Sequence, residues 1–281
     1  MLLRLRFSIA ACLAGLCLSA ACRADGESSA DLPTPNAAPI VPPAASFLRP
    51  GETVVLRLSY GLITNGGETR FETTPEDSPD GPRLRVKVST TSKGLVETFY
   101  PLRNYSESLI DAVNARPLLI TTEGKEGSRT TRQTTVFDYE KGIVEHTDHI
   151  RPKRSGTATL PKDPVFDLMV TMMQARTWNM RAGEKRTVVC SFADEFYTLE
   201  VTALEEDEIK TPAGKFNVIV LEPKQVGELK GFFKKGGSMK FYISRGKRPQ
   251  LVRLDMKTKV GTIVAALSEE TFADEKASTK P

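Results

Sequence analysis

The sequence predicts a mainly β fold: a curled antiparallel sheet or partly closed barrel with one α-helix, over about 164–176, buried against it. Three observations carry this expectation. Apolar and polar residues alternate in short runs from Val54 to Leu267, separated by Gly, Pro and Asn turns. The segment Asp163-Pro164 followed by VFDLMVTMMQAR breaks that period with a wide apolar arc. The last patterned stretch, Met239 to Leu267, reads as three consecutive strands. Consecutive strands joined by short turns form an antiparallel meander.

Taking the elements in order, the first strand places Val54, Leu56, Leu58 and Tyr60 on one face. Asn65-Gly66-Gly67 predicts a reversal, with a partner strand over Glu68 to Thr73, because these residues tolerate the positive φ of hairpin turns. Leu84, Val86 and Val88 alternate with charged and hydroxyl residues in another one-sided strand. Short runs at Leu95 to Tyr100, Pro117 to Thr122, Thr130 to Tyr139 and Ile143 to His146 continue the pattern. Asp163 is the expected N-cap of the helix and Pro164 its first residue. Strands resume at Thr187 to Phe192 and Phe196 to Ala203, and the acidic run Glu205 to Glu208 suits a solvated strand end. Thr211-Pro212-Ala213-Gly214 turns the chain into Phe216 to Leu221. In the final meander Met239, Phe241 and Ile243 share a face, as do Val252, Leu254 and Met256, whereas Thr262 to Leu267 is apolar on both faces and is expected to be covered from two sides.

Upstream of these strands the chain is of another kind. Arg4 and Arg6, the apolar run Phe7 to Leu18 and the small residues Ser19, Ala20 and Ala21 form an export signal over 1–24. Cleavage at 21/22 or at 24/25 fits the small residues, and Ser19-Ala20-Ala21-Cys22 resembles a lipobox with serine in the usual leucine place, which makes Cys22 a lipidation candidate. Residues 25–46 carry prolines at 33, 35, 39, 42 and 43 without apolar period, and read as a disordered tether. One β-rich domain is expected over 47–268, with a polar tail over 269–281.

Composition bounds the function. The formal charge of +4 includes Arg4, Arg6 and Arg23 of the leader, and without them 36 basic side chains face 35 acidic ones. So small an excess gives no footprint for nucleic acid. Of four cysteines, Cys12 and Cys17 leave with the leader, so an internal disulfide with Cys190 needs Cys22, and Cys190 itself suits a buried strand position. The only histidines, in His146-Thr147-Asp148-His149, point to opposite faces of an extended chain, too few converging ligands for a metal. No Gly-x-Ser-x-Gly elbow or phosphate-cradling loop is present. No metal, cofactor or catalytic residue is therefore expected. One surface feature stands out: Lys230, Phe232, Phe233, Lys234 and Lys235 combine two rings with ammonium groups, a pattern that suits an anionic membrane or an acidic polymer, although a ring folded back into the core explains it as well.

Several landmarks occur in a characteristic order: Phe47 with Gly51-Glu52, the strand ending in Tyr60-Gly61, Asp163-Pro164 with Asp167 and a helix ending at Arg176, Gly183, Thr211-Pro212-Ala213-Gly214-Lys215-Phe216, and closing strands with Gly261 before Leu267. In these the chain resembles the bacterial envelope family of domain of unknown function 3108. It departs from that pattern at Phe241-Tyr242, where the family often has tryptophan, and at Arg245 and Lys247, where acidic residues are usual. The resemblance implies an exported, β-rich envelope domain and supplies no catalytic residues. The expected role is a non-catalytic binding module for an apolar or lipid-like ligand, periplasmic or lipid-anchored, with no transmembrane helix in the mature chain. The alternatives are a structural or assembly adaptor for an envelope protein or polysaccharide, and a hydrolase without a recognisable motif.

Overall fold

The computed structural model describes residues 45–163, 165–229, 231–259 and 261–273. The leader, Cys22, nearly all of the tether, the end of the polar tail and Lys230 lie outside the described residues. Fifteen strands form one sheet in the order β8-β7-β6-β5-β4-β3-β2-β1-β15-β14-β13-β12-β11-β10-β9. Their ranges are β1 Glu52–Tyr60, β2 Ile63–Glu76, β3 Arg83–Ser92, β4 Leu102–Asp111, β5 Arg116–Glu126, β6 Arg129–Asp138, β7 Ile143–Asp148 and β8 Gly156–Thr159. The second half comprises β9 Val165–Asp167, β10 Lys185–Phe192, β11 Glu195–Thr211, β12 Gly214–Gln225, β13 Ser238–Ser244, β14 Leu251–Thr258 and β15 Gly261–Phe272. Helices are α1 Gly94–Phe99, α2 Leu168–Gln174 and α3 Gly231–Lys234.

Every sequential strand pair is antiparallel except β9 with β10, which run parallel. The first and last strands pair along their length, from Glu52 opposite Phe272 to Tyr60 opposite Ile263, so the chain closes in mid-sheet. Two half-sheets thus extend from one central seam. The sheet does not close by hydrogen bonds, yet it curls until β9 reaches β5. Alternation explains the curl: Leu84, Val86 and Val88 of β3, Met239 and Phe241 of β13, and Leu254 and Met256 of β14 all face one core. The same core takes in Met169, Val170, Met172 and Met173 of α2. The helix therefore fills the inside of the curled sheet.

Several expectations need correction. The helix begins at Leu168 because Val165–Asp167 is committed to pairing with Val189–Ser191. Its N-cap is Asp167, whose Oδ1 accepts from Met169 N at 2.8 Å and Val170 N at 2.9 Å, and Asp163 does not cap it. Residues 175–177 continue as a 3-10 turn. Leu95 to Tyr100 is not a strand: Gly94 takes left-handed backbone at φ 56, and α1 follows it. The first hairpin turns at Gly61-Leu62, with Tyr60 opposite Ile63. Asn65-Gly66-Gly67 lies inside β2, where a side chain at Gly67 would collide with the Thr91 carbonyl of β3. Glu205 to Glu208 is not a strand end but the middle of β11, exposed beside a bulge between Ala203 and Glu206. In β15 only Ile263, Ala265 and Leu267 are buried, while Val264 and Ala266 are half-covered. The meander β13–β15 is central, and the sheet edges are the short strands β8 and β9.

Candidate functional site

Strand direction sorts the loops into two ends. At one end, called here the Glu52 end, lie the start of β1, the end of β15 and the β13–β14 loop. At the other, the Leu62 end, lie the β1–β2 turn, α1 between β3 and β4, the β7–β8 loop, the β10–β11 turn, the loop through α3 and the β14–β15 turn. Helix α2 starts near the Leu62 end, where β9 finishes, and runs back through the interior to deliver Arg176 to the Glu52 end.

The Glu52 end is an ionic clamp. Arg176 Nη1 donates to both carboxylate oxygens of Glu52 at 2.8 Å, and each of the two side chains is only 1% exposed. Arg176 also donates to the carbonyls of Phe47 and Met173. Arg49 Nη1 reaches Glu52 at 3.1 Å and Glu270 at 3.5 Å, while its Nη2 donates to Pro249 O at 2.7 Å. Gln250 also donates to Glu270, and Arg248 stacks 3.7 Å above the Phe272 ring. Phe47 then packs edge-on against Phe166 at 5.5 Å. Together these contacts fix the entry of the chain, residues 45–50, to the helix end and to the last strand. All the charges here have partners in the fold, so the cluster holds structure together.

The clamp carries a pH signature. Burial, followed by the hydrogen bond and charge of neighbouring Glu52, raises the Glu270 carboxyl from the ordinary glutamate value of 4.5 to about 7, against the opposing pull of Arg248 and Arg49. The native state therefore keeps a proton that the unfolded chain gives up. This contribution to stability is full below about pH 4.5 and is lost as pH rises through about 7. The urea midpoint is expected to be higher at pH 5.5 than at pH 8, and Glu270→Gln should flatten that slope; an unchanged slope in the variant would assign it elsewhere.

Residue types with chemical potential sit mostly in structural roles. Cys190 is buried in β10, its Sγ 3.4 Å from Thr171 Oγ1, and burial pushes its thiol up to about 12. His146 and Asp148 share the inner face of β7, both buried. The His146 ring meets Thr135 Oγ1 at 3.0 Å, and burial lowers its pKa despite nearby Asp194 and Asp148. Asp148 is occupied by Ile150 N, Arg151 N and Arg151 Nε at 2.9–3.0 Å. His149 lies past the strand and bonds Thr134. Among the described residues no three His, Cys, Asp or Glu side chains converge as metal ligands. A groove of about 250 Å³ on the outer face of β1, β2 and β15 is lined by Val55, Arg57, Glu68, Arg70, Lys93 and Glu269 among others. Its polar walls mix both signs of charge, and Lys93 pairs with Glu68.

The Leu62 end is different in kind. Ten large apolar side chains are exposed among the described residues, and seven are here: Leu62 and Ile63, Leu95 and Phe99, Ile150, Val226 and Leu229. Leu62 is 100% exposed and Phe99 82%. The β1–β2 turn and α1 form one surface, since a Cβ at Gly66 would lie 3.0 Å from Val96 Cγ2 and 3.6 Å from Ile63 Cγ2. The ring of loops also nears closure at this end, where the Asp194 carboxylate occupies the space a side chain would need at Gly156. Of the residues singled out in the sequence, Phe232 is buried in the core and Phe233 is half-buried against it, ring centroids 5.4 Å apart. Lys234 and Lys235 remain exposed. The exposure of Leu62 and Phe99 is not legible in the sequence, because an apolar residue in a turn and one in an expected strand carry no mark of it.

A family profile described as protein of unknown function (DUF3108) matches residues 56–268. The chain belongs to this family. In this chain, landmarks far apart in sequence meet in space: Glu52 binds Arg176, a side chain at Gly261 would collide with the Tyr60 ring, and Ala213 N of the Thr211–Gly214 turn donates to Leu267 O at 3.0 Å. No curated protein matches the chain. Among solved structures, a β-barrel-like protein of the DUF1849 family from Brucella abortus is similar over 81% of this chain and 100% of its own, at 9% identity and a TM-score of 0.51. A lipoprotein candidate from Parabacteroides distasonis covers 80% of this chain and 98% of its own, at 9% identity and a TM-score of 0.30. The first likeness shows a common β-barrel-like fold. No described helix is long and apolar enough to cross a membrane.

Proposed function

We propose that this DUF3108 domain is an exported, non-catalytic binding module that meets an apolar, lipid-like partner with its Leu62 end. The observation that carries the reading is the gathering of Leu62, Ile63, Leu95, Phe99, Val226 and Leu229 on the loops of one end. Scattered apolar side chains are normal on protein surfaces, whereas a concentration of them marks a contact site. The interior is a poorer candidate for the ligand, because α2 occupies it with Met169, Val170, Met172 and Met173. Export and a place in the envelope rest on the leader read in the sequence. Each exposed leucine or phenylalanine that leaves water contributes about 1.5–3 kcal/mol, so two or three suffice for measurable association. The test is co-flotation with phosphatidylcholine vesicles, compared with the Leu62→Ser/Phe99→Ser double variant. The wild-type chain floats, and the variant, unchanged in thermal stability because both residues are exposed, loses at least tenfold in partition. Equal flotation of both proteins, or of neither, overturns the reading.

A further inference from the structure

We propose that the partner of the Leu62 end is an anionic lipid surface, a proposal that rests on the apolar docking just described. The charges interleaved with the apolar side chains carry it. Lys153 and Arg154 in the β7–β8 loop, Lys234 on α3 and Lys259 in the β14–β15 turn are exposed, and none has a carboxylate within 4 Å among the described residues. Elsewhere on the molecule cations are commonly spent on internal pairs: Arg85 on Glu76 and Glu107, Arg245 on Glu206, Lys185 on Glu200. The acids at this end are largely held by the fold: Glu97 by Arg103, Glu126 by Tyr100 and Glu195 by Tyr197, with Asp194 against Gly156 and Glu228 in the α3 loop.

The loops alternate the two chemistries around the ring. The β14–β15 turn with Lys259 stands between the β1–β2 turn with Leu62 and the α3 loop with Leu229 and Lys234, because β1 pairs with β15 and β13 with β14. The Ile150, Lys153 and Arg154 loop belongs to the far half-sheet, which curls back toward the β10–β11 turn. Rings and leucines that enter the headgroup layer would carry ammonium and guanidinium groups to the depth of lipid phosphates. A purely apolar protein partner would gain nothing from these cations, and a soluble polyanion nothing from Leu62 and Phe99. The chain enters the fold at the Glu52 end, some nine residues of β1, or about 30 Å, from the docking end. A proline-rich tether over 25–44, as its sequence leads one to expect, would reach up to about 60 Å, enough for the far end to turn to a membrane even when the N-terminus is held there.

The experiment uses the chain without its leader and vesicles of phosphatidylcholine with or without phosphatidylglycerol, at low and high salt. Each cation near an anionic surface contributes roughly fivefold in partition at low salt. Binding to the anionic vesicles should therefore exceed binding to neutral ones at least tenfold, and fall as salt rises. The quadruple variant Lys153→Gln, Arg154→Gln, Lys234→Gln, Lys259→Gln, whose sites are all exposed, should lose that excess and keep the neutral-vesicle binding. Equal binding of the wild type to both vesicles overturns the inference and leaves apolar docking standing. Absence of binding to both overturns both readings. An anionic preference that survives in the quadruple variant, or equally tight binding to soluble polyglutamate, also overturns the inference.

Discussion

Replacing Arg176 with alanine is expected to lower unfolding stability by about 3–5 kcal/mol, the range for removing one partner of a buried ion pair. The size of the effect comes from what stays behind. Glu52, 1% exposed, would keep its charge inside the fold with Arg49 alone to offset it. The carbonyls of Phe47 and Met173 would lose their donor as well. Because Arg176 ends the helix and Glu52 starts the first strand, the loss also releases the chain entry from the interior. Urea unfolding measures it directly. Removing both charges with Arg176→Met and Glu52→Leu should cost less than the single change, since no buried charge is then left unpaired, although Arg49 loses a partner. A single variant within 1 kcal/mol of wild type would refute the clamp.

Asp167→Ala is expected to cost about 2–3 kcal/mol, combining a lost N-cap with an unpaired hydroxyl. Asp167 accepts from the first two free amides of α2 and from Ser108 Oγ at 2.9 Å, so it ties the helix start to β4 across the interior. Asp167→Asn separates the contributions. Asparagine caps as well as aspartate, and burial already raises the Asp167 pKa, so removing the charge relieves part of the desolvation. The asparagine variant should stay within about 1 kcal/mol of wild type in the same urea titration. Equal losses in both would mean that the carboxylate charge, and not the cap, is what matters.

The sequence reading reached the strands and the single interior helix because both follow from periodicity, which depends on local chemistry. It missed what depends on neighbours in space. Gly66 and Gly67 look like a turn, yet they sit within β2, where Gly66 faces Val96 of α1 and β3 approaches Gly67 too closely for a side chain. Asp163-Pro164 has the composition of a helix start, but pairing of Val165–Asp167 with β10 delays the helix until Asp167 can cap it. The α3 segment was visible as a mixture of rings and lysines, and burial of Phe232 leaves its lysines as the exposed part. The apolar end could not be assembled from the sequence, since Leu62, Phe99 and Leu229 lie in three separate connections. Only strand order and direction bring them to one end.

The most direct measurement places an environment-sensitive dye on a cysteine at either end of the domain. Leu62→Cys and Val113→Cys are suitable because Leu62 is fully exposed at the docking end and Val113, 60% exposed, lies between β4 and β5 at the opposite end. In a chain starting at residue 25, Cys190 is the only other thiol, and burial with a pKa near 12 keeps it from reacting. On adding phosphatidylglycerol-containing vesicles, the dye at position 62 should shift to the blue and be quenched by a lipid-borne quencher, while the dye at 113 stays as in water. A shift at 113 without one at 62, or no shift at either, would contradict docking through the Leu62 end.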